Sequence, residues 1–284
     1  MVHLLRIFLF AVALTLAPGA AVAREPRPID IVFDIDWTLF SRIPDDAVHV
    51  DPKEIIVVEG LRYRMADGVV ESLNLLRRFP NVRISVFSGG AASRNEELLK
   101  AIVLDAVSGL TARDIMSQVR SFDDLEDLAP NSAKGEVKFR DRYRKNLRNF
   151  FKDLGRTILI DDMTEFAADG QKANLLWTGP TFDFFETFGE SKGVLNPVER
   201  KMTLPTDPLA WKLDRLRIPV LTAMLESAIR EDAEISDHSK SFVDRVGEKA
   251  RVSRENWMES CFSRFPSLRW VLCGPLLRNI RLHR

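Results

Sequence analysis

Two pairs of acidic residues in this sequence each follow a short apolar segment of the kind that forms a buried strand. Asp34 and Asp36 come directly after Ile29–Phe33, and Asp161 and Asp162 follow a second apolar segment. In open parallel sheets, ligands bind beyond the carboxyl ends of the strands, so the two pairs are expected to meet at one edge. Converging carboxylates favour a hard divalent cation, which is typical of phosphate chemistry.

Hydrolysis of a phosphate monoester requires a nucleophile, a proton donor for the leaving oxygen, and positive charge around the phosphoryl oxygens. Asp34 is predicted to be the nucleophile, and Asp36 the general acid that later activates water. Mg²⁺ is predicted to bind to the acidic residues, which are Asp34, Asp36, Asp161 and Asp162. In this set Asp36 would contribute its backbone carbonyl. The alternative for the first pair is an ordinary strand that ends in a solvated acidic turn.

Ser88, Gly89 and Gly90 supply candidate groups for binding the phosphoryl oxygens. They follow a strand-like segment and precede a predicted helix, where backbone N–H groups favour anions. Such a tripeptide alone is more typical of a turn. Its position between the two acidic pairs therefore supports the prediction, and Thr38 of the first motif is a further phosphate-binding candidate.

A lysine is expected to neutralise the nucleophile and the phosphate together. Lys138 and Lys145 both precede the second acidic pair, within a segment rich in arginine. For either lysine alone, a solvated helix face is the simpler interpretation. The residues by themselves leave the choice between the two open.

The four motifs, taken in order, resemble those of the haloacid dehalogenase superfamily: Asp-x-Asp-x-Thr, a strand-end Ser or Thr, a Lys, and a strand-end acidic pair. Within it the sequence is most similar to phosphatases of the RNA polymerase C-terminal-domain type, also called the NLI-interacting-factor family. These carry Lys-Asp-Leu as their third motif, and Lys145-Asn146-Leu147 lies at the corresponding distance before Asp161. The resemblance covers residues 29–178 and favours Lys145 over Lys138.

Two positions depart from the family pattern. Trp37 occupies a position that is usually acidic or small, and Asn146 replaces the aspartate of the third motif. These departures support an alternative function, a catalytically inactive protein of the same fold that binds a partner. Exported class B acid phosphatases also resemble residues 33–40, but their second motif fits this sequence less well.

Strand-like apolar segments alternate with helical patterns between residues 24 and 180. The continuous apolar segments are Ile29–Phe33, Val82–Phe87, Thr157–Ile160 and Asn174–Thr178. Such segments are typical of a parallel sheet that is covered on both faces. The predicted fold class is therefore α/β with a central parallel sheet, and the resemblance implies that this is a Rossmann-like haloacid dehalogenase fold.

The segments between these strands predict the other elements. Ile55–Val58 and Leu61–Met65 flank Glu59-Gly60, which predicts a hairpin after the first motif. The family resemblance implies such a hairpin at this place and no large cap. Asp67 is predicted to cap the next helix. A basic helix is predicted over residues 137–154.

Three regions are predicted along the chain: a signal peptide at residues 1–23, a phosphatase domain at residues 24–180, and a helical C-terminal extension at residues 181–284. In the extension, Asp207 followed by Pro208 predicts a helix start.

The first 23 residues contain an apolar stretch and then Ala21-Val22-Ala23, the small residues that a signal peptidase reads. Cleavage before Arg24 and a periplasmic or secreted location are therefore predicted. The alternative is an uncleaved anchor, although the stretch is shorter than the about 20 residues that span a bilayer.

Charge and cysteine content limit the classes of partner. Lys+Arg and Asp+Glu both number 41, so the charge balance gives no basis for binding nucleic acid or an anionic membrane. The sequence leaves open whether the two cysteines, Cys261 and Cys273, form a disulfide or stay free thiols. The predicted substrate is a small phosphate ester or a phosphopeptide, and the oligomeric state is left open.

Overall fold

A five-stranded parallel sheet forms the centre of the fold in the computed structural model, which describes residues 27–45, 50–133, 135–181, 186–191, 204–234, 239–252 and 254–266. The predicted signal peptide and Cys273 lie outside the described residues. The strands are β1 Ile29–Phe33, β2 Phe40–Arg42, β3 Ile55–Val58, β4 Leu61–Met65, β5 Val82–Phe87, β6 Val103–Asp105, β7 Leu110–Thr111, β8 Met116–Arg120, β9 Glu126–Asp127, β10 Tyr143–Arg144, β11 Thr157–Asp161 and β12 Leu175–Trp177.

Helices alternate with these strands and then follow them. The α-helices are α1 Val69–Leu76, α2 Ala92–Ala101, α3 Ala112–Ile115, α4 Phe139–Arg142, α5 Phe188–Ser191, α6 Pro208–Arg215, α7 Arg217–Glu234, α8 Phe242–Ala250 and α9 Arg254–Arg264. Short 3₁₀ turns cover Pro52–Glu54, Phe122–Asp124, Leu147–Asn149, Leu154–Arg156, Thr164–Phe166 and Lys172–Asn174. None of the helices in the described ranges is both long and apolar enough to cross a membrane.

The order of the central sheet is β12-β11-β1-β5-β8, and every pair of neighbours is parallel. Phe33 of β1 lies opposite Ile160 of β11 and Val86 of β5. The predicted α/β class with a central parallel sheet is therefore confirmed. The sequence did not predict β8, since polar residues separate its apolar ones and it lies at the sheet edge.

Both faces of the sheet are covered, because successive strand residues point to opposite sides. On one face, Ile31 and Ile160 belong to a buried cluster that includes Leu221 and Leu225 of α7. On the other face, Val32 belongs to a smaller cluster, whose buried members are Val32, Phe87, Leu147, Phe151 and Leu159. Continuous apolar strands are what such a two-sided environment requires.

The predicted hairpin is confirmed. β3 and β4 pair in antiparallel register, and β2 joins β4 to make a three-stranded sheet in the order β2-β4-β3. Glu59 and Gly60, at the turn, have φ angles of 50° and 74°. Positive φ angles at both central residues are typical of the two-residue type I′ turn, whose twist matches that of the two flanking strands.

Asp67 does not cap α1 as predicted. The N-cap position belongs to Gly68, which has a left-handed φ of 72°. The buried carboxylate of Asp67 instead accepts hydrogen bonds from Arg64, at 3.0 Å, and from Arg215. A charge-assisted tertiary contact has thus displaced the local capping interaction.

The predicted helix over residues 137–154 is wrong. The chain forms the single-turn helix α4, and then Tyr143 and Arg144 pair with β9. The backbone N–H of Lys145 next donates to the carbonyl of Phe166 at 2.8 Å. These contacts hold the segment extended, because strand pairing with distant residues replaces the local helical hydrogen bonds.

The described residues beyond residue 186 are helical, as predicted, and pack on the sheet domain. Asp207 caps α6 by accepting from the backbone N–H groups of Leu209 and Ala210, at 2.8 and 2.9 Å. α7 packs against α1, and α8 packs against β11. Cys261 is buried in α9. Its pairing with Cys273 and the domain boundary near residue 180 stay predictions.

Candidate active site

The carboxyl ends of β1 and β11 bring two of the predicted acidic residues together. Asp34 directly follows β1, where its backbone N–H donates to the carbonyl of Ile160 at 2.9 Å. Asp161 ends β11, and its Oδ1 accepts from the backbone N–H of Met163 at 2.8 Å. Both carboxylates are buried, at 5% and 0% exposure. The parallel pairing of the strands therefore sets the position of both side chains.

Lys145 joins these two carboxylates. Its Nζ donates to Asp34 Oδ1 and to Asp161 Oδ2, both at 2.6 Å, and the side chain is fully buried. The ammonium also lies 5.2 Å from the centre of the Phe166 ring. Lys138, the alternative lysine, is exposed. The structure thus places the Lys145 charge, and not that of Lys138, between the acidic residues.

Asp162 completes an acidic cluster. Carboxylate oxygens of Asp34, Asp161 and Asp162 all lie within 4.8 Å of one another, and all three residues are buried. Asp162 Oδ2 also accepts from the Thr181 hydroxyl at 2.7 Å. Three buried carboxyl groups thus lie around one ammonium. A hard divalent cation with oxygen ligands fits this donor set.

Burial and neighbouring charges both shift the pKa values of Lys145 and the acidic cluster. Desolvation raises the pKa of Asp34 well above its usual range, although the nearby Lys145 ammonium opposes this. Burial also raises the pKa of Asp162 to about 6. For Lys145, burial lowers the pKa but the carboxylates of Asp161 and Asp34 outweigh it, so the pKa is raised. Lys145 therefore stays charged at neutral pH.

Asp36 points to a different set of partners. Its Oδ1 and Oδ2 accept from Arg94 Nη1 and Nη2 at 3.1 and 2.6 Å, and Ser88 Oγ lies 3.4 Å from Oδ2. The chain turns just after Asp36, since Trp37 has a φ of 61° and its N–H donates to the carbonyl of Phe40 at 2.6 Å. The Asp36 carboxylate is consequently not part of the acidic cluster in the described residues. A metal contact through its backbone carbonyl stays a prediction.

Ser88 and the following glycines form the expected loop at the end of β5. The backbone N–H of the buried Ser88 donates to the carbonyl of Arg120 at 3.0 Å, and the Ser88 Oγ accepts from the N–H of Gly90 at 3.2 Å. A Cβ on Gly89 would lie 3.2 Å from the Phe139 ring, so a larger residue fits poorly. The loop therefore packs closely against α4.

Thr38 and Asn146 differ in the hydrogen bonds that their side chains make. The Thr38 hydroxyl is buried and has no hydrogen-bond partner among the residues that the structure describes. Asn146 accepts from the Arg148 N–H at 3.2 Å and from Gln171 at 2.6 Å, and donates to Glu126 at 3.0 Å. The Asn146 amide can both donate and accept hydrogen bonds, and in this way it stabilises the turn that follows Lys145.

The sequence patterns do not distinguish Arg94 as a residue of the site. Arg94 lies in the first turn of α2, and no local pattern distinguishes it from other surface arginines. A usable signal would have been its position: it is the first cation after Ser88-Gly89-Gly90, a loop already predicted to lie near the acidic pairs. The Asp36–Arg94 pair depends on tertiary structure.

No family model and no curated protein matches this sequence. Among solved structures, the fission yeast RNA polymerase II CTD phosphatase Fcp1, as a variant bound to beryllium fluoride, is 14% identical, with a TM-score of 0.37. A second structure, of Fcp1 as an essential RNA polymerase II CTD phosphatase, is 15% identical, with a TM-score of 0.40. Each match covers 83% of this chain and 65% of the Fcp1 chain.

Proposed function

We propose that this protein is an exported, Mg²⁺-dependent phosphatase that hydrolyses phosphate monoesters through an aspartyl-phosphate on Asp34. The single observation that carries the proposal is the buried Lys145 ammonium, 2.6 Å from both Asp34 and Asp161, with Asp162 in the same cluster. A nucleophilic carboxylate needs such compensation in order to approach an anionic phosphate.

Asp34, Asp161 and Asp162 would hold the Mg²⁺ ion. When bound, the ion screens the repulsion between the carboxylate and the phosphoryl oxygens and stabilises negative charge on them. The closeness of the three buried carboxyl groups, whose oxygens lie within 4.8 Å of one another, supports this assignment.

The remaining chemistry is assigned to side chains. A free Asp34 carboxylate oxygen attacks phosphorus, and the bond from phosphorus to the leaving oxygen breaks while Asp36 gives that oxygen a proton. Asp36 then takes a proton from water, which attacks the aspartyl-phosphate and releases inorganic phosphate. Lys145 and the Ser88 loop hold the phosphoryl oxygens in place. Each proton that Asp36 loses in the first step is regained in the second.

A phosphopeptide or a small phosphate ester is the proposed substrate class. The hairpin and residues 105–135 would frame the entrance to the site. In support of this, Glu59 at the hairpin tip accepts from the Ser93 hydroxyl at 2.7 Å, next to Arg94 on α2. The hairpin tip therefore lies close to the residues that contact Asp36.

Replacement of the nucleophile tests the proposal. Asp34→Asn is expected to abolish turnover of p-nitrophenyl phosphate in the presence of Mg²⁺, because an amide is a far weaker nucleophile than a carboxylate. Asp169→Asn, at an exposed position, is the matched control and should retain full activity. Turnover by the Asp34→Asn variant equal to that of the control would exclude the proposed mechanism.

Removal of the metal is a second test. Treatment with EDTA is expected to abolish activity, and added Mg²⁺ should restore it, because the carboxylate cluster would otherwise repel the phosphate. The same titration followed by calorimetry should detect Mg²⁺ binding to the wild-type protein and a loss of binding in Asp161→Asn. Full activity in EDTA would contradict the metal requirement.

A non-catalytic binding protein of the same fold is the second candidate function. The departures from the family pattern at Trp37 and Asn146 favour it. The presence of every motif carboxylate favours the enzyme. Calorimetry that detects neither Mg²⁺ nor a phosphate analogue would support the binding protein.

A further inference from the structure

Arg94 connects the proposed general acid to the phosphate-binding loop. Its guanidinium donates to both carboxylate oxygens of Asp36, at 3.1 and 2.6 Å, and its Nη2 lies 3.3 Å from Ser88 Oγ. The Arg94 side chain is only 14% exposed. A two-pronged contact from a planar guanidinium fixes the orientation of a carboxylate as well as its charge.

The position of the guanidinium is itself fixed by its surroundings. Arg94 Nη2 donates to Asn95 Oδ1 at 3.0 Å, and the buried Asn95 donates in turn to the carbonyl of Gly90 at 3.2 Å. A Cβ on Gly90 would lie 1.7 Å from Arg94 Nη2. Only glycine at this position leaves space for the guanidinium against the loop.

We propose that Arg94 is a positioning residue that holds the Asp36 carboxylate beside the Ser88 hydroxyl and so places the proton donor at the leaving oxygen. The inference rests on the proposed phosphatase function. The Asp36 side chain is 34% exposed, and without the guanidinium it can occupy other rotamers that point to solvent. Since a general acid acts only within hydrogen-bond reach, this loss of orientation slows proton transfer.

The leaving group distinguishes this role from phosphate binding and from a structural role. An alkoxide leaving group needs a proton as its bond to phosphorus breaks, whereas p-nitrophenolate leaves readily as the anion. A residue that positions the general acid therefore affects alkyl phosphates more than aryl phosphates. A residue that binds the phosphoryl group affects both substrates alike.

The experiment compares kcat and KM for 2-phenylethyl phosphate and p-nitrophenyl phosphate with Mg²⁺ present. Arg94→Gln is expected to lower kcat about 100-fold for the alkyl ester and less than about tenfold for the aryl ester. Arg94→Lys should recover part of the alkyl activity, because an ammonium pairs with the carboxylate but cannot make the two-pronged contact. Arg113→Gln removes a different ion pair, between Arg113 on α3 and Glu96 on α2, and is the control.

Gly90→Ala provides an independent variant that keeps the charge of Arg94. The added methyl group must displace the flexible end of the Arg94 side chain, so the same selective loss with the alkyl ester is expected. If Arg94→Gln does not fold, as judged by thermal unfolding, Gly90→Ala decides the question.

The outcomes separate the two proposals. Equal losses for both esters, or a higher KM with unchanged kcat, would overturn the positioning role and leave the phosphatase function in place. A wild-type protein that hydrolyses neither ester would overturn both.

Discussion

At the scale of single residues, Lys145 supplies the positive charge that compensates two buried carboxylates of the site. Its ammonium is fully buried and bonded to two carboxylates, so each of the three charges depends on the others for compensation. Buried ion pairs of this kind contribute little net stability when complete, but removal of one partner leaves an uncompensated charge. Lys145 therefore links stability to the chemistry of the site.

Lys145→Met is expected to abolish turnover and to lower the free energy of unfolding by about 3–5 kcal/mol in the absence of metal. Added Mg²⁺ should stabilise this variant more than the wild type, because the ion then supplies the missing positive charge to the cluster. Urea unfolding with and without Mg²⁺ measures both effects.

Lys138→Met is the matched control, since Lys138 is exposed. It should change neither turnover nor stability. A loss of activity in Lys138→Met together with a stable, active Lys145→Met would show that the wrong lysine has been assigned to the third motif.

At the scale of elements, the hairpin depends on two residues in the left-handed region. Glu59 and Gly60 have φ angles of 50° and 74°, and the two strands they connect begin directly on either side. A side chain in this region costs about 1 kcal/mol or more per residue, whereas glycine adopts it freely.

Gly60→Ala is expected to lower the free energy of unfolding by about 1 kcal/mol, because its φ is unfavourable for alanine although space is available around it. Gly247→Ala, inside α8, should have the opposite sign and stabilise by about 0.5–1 kcal/mol. Urea unfolding of both variants checks the pair. Stabilisation by Gly60→Ala would mean that the turn has a different conformation.

At the scale of the whole molecule, a buried ion pair joins the C-terminal helices to the sheet. Arg156, just before β11, donates to both carboxylate oxygens of Asp232 in α7, at 3.1 and 2.7 Å. The same guanidinium donates to the carbonyls of Pro28 and Arg27, next to β1, at 3.1 Å each. The helices and the sheet also share one buried apolar cluster. We therefore expect the two parts to unfold together.

Asp232→Asn is expected to lower the free energy of unfolding by about 3 kcal/mol, because Arg156 then keeps a buried charge without its partner. The loss should occur in a single cooperative transition, measured by circular dichroism and by tryptophan fluorescence. Lys240→Gln, which breaks the exposed pair with Glu248, is the control and should cost less than about 1 kcal/mol. Two separate transitions would show that the C-terminal helices fold independently.

Much of the fold could be predicted from the sequence, because continuous apolar segments can be satisfied only in a sheet covered on both faces. β1, β5, β11 and β12 were predicted in this way, as was the hairpin. The predictions that failed were those in which a local preference competed with a distant partner. Asp67 binds Arg215 instead of capping α1, and residues 143–144 pair with β9 instead of continuing a helix.

The sequence alone determined which residues have the chemistry for the site, since carboxylates at strand ends must meet at one edge of a parallel sheet. The family resemblance favoured Lys145 over Lys138, but only the tertiary structure placed the Lys145 ammonium between Asp34 and Asp161. It also decided that Arg94 binds the Asp36 carboxylate. The physical reason is that strand direction is encoded locally, whereas the partner of a charged side chain depends on how elements distant in sequence pack together.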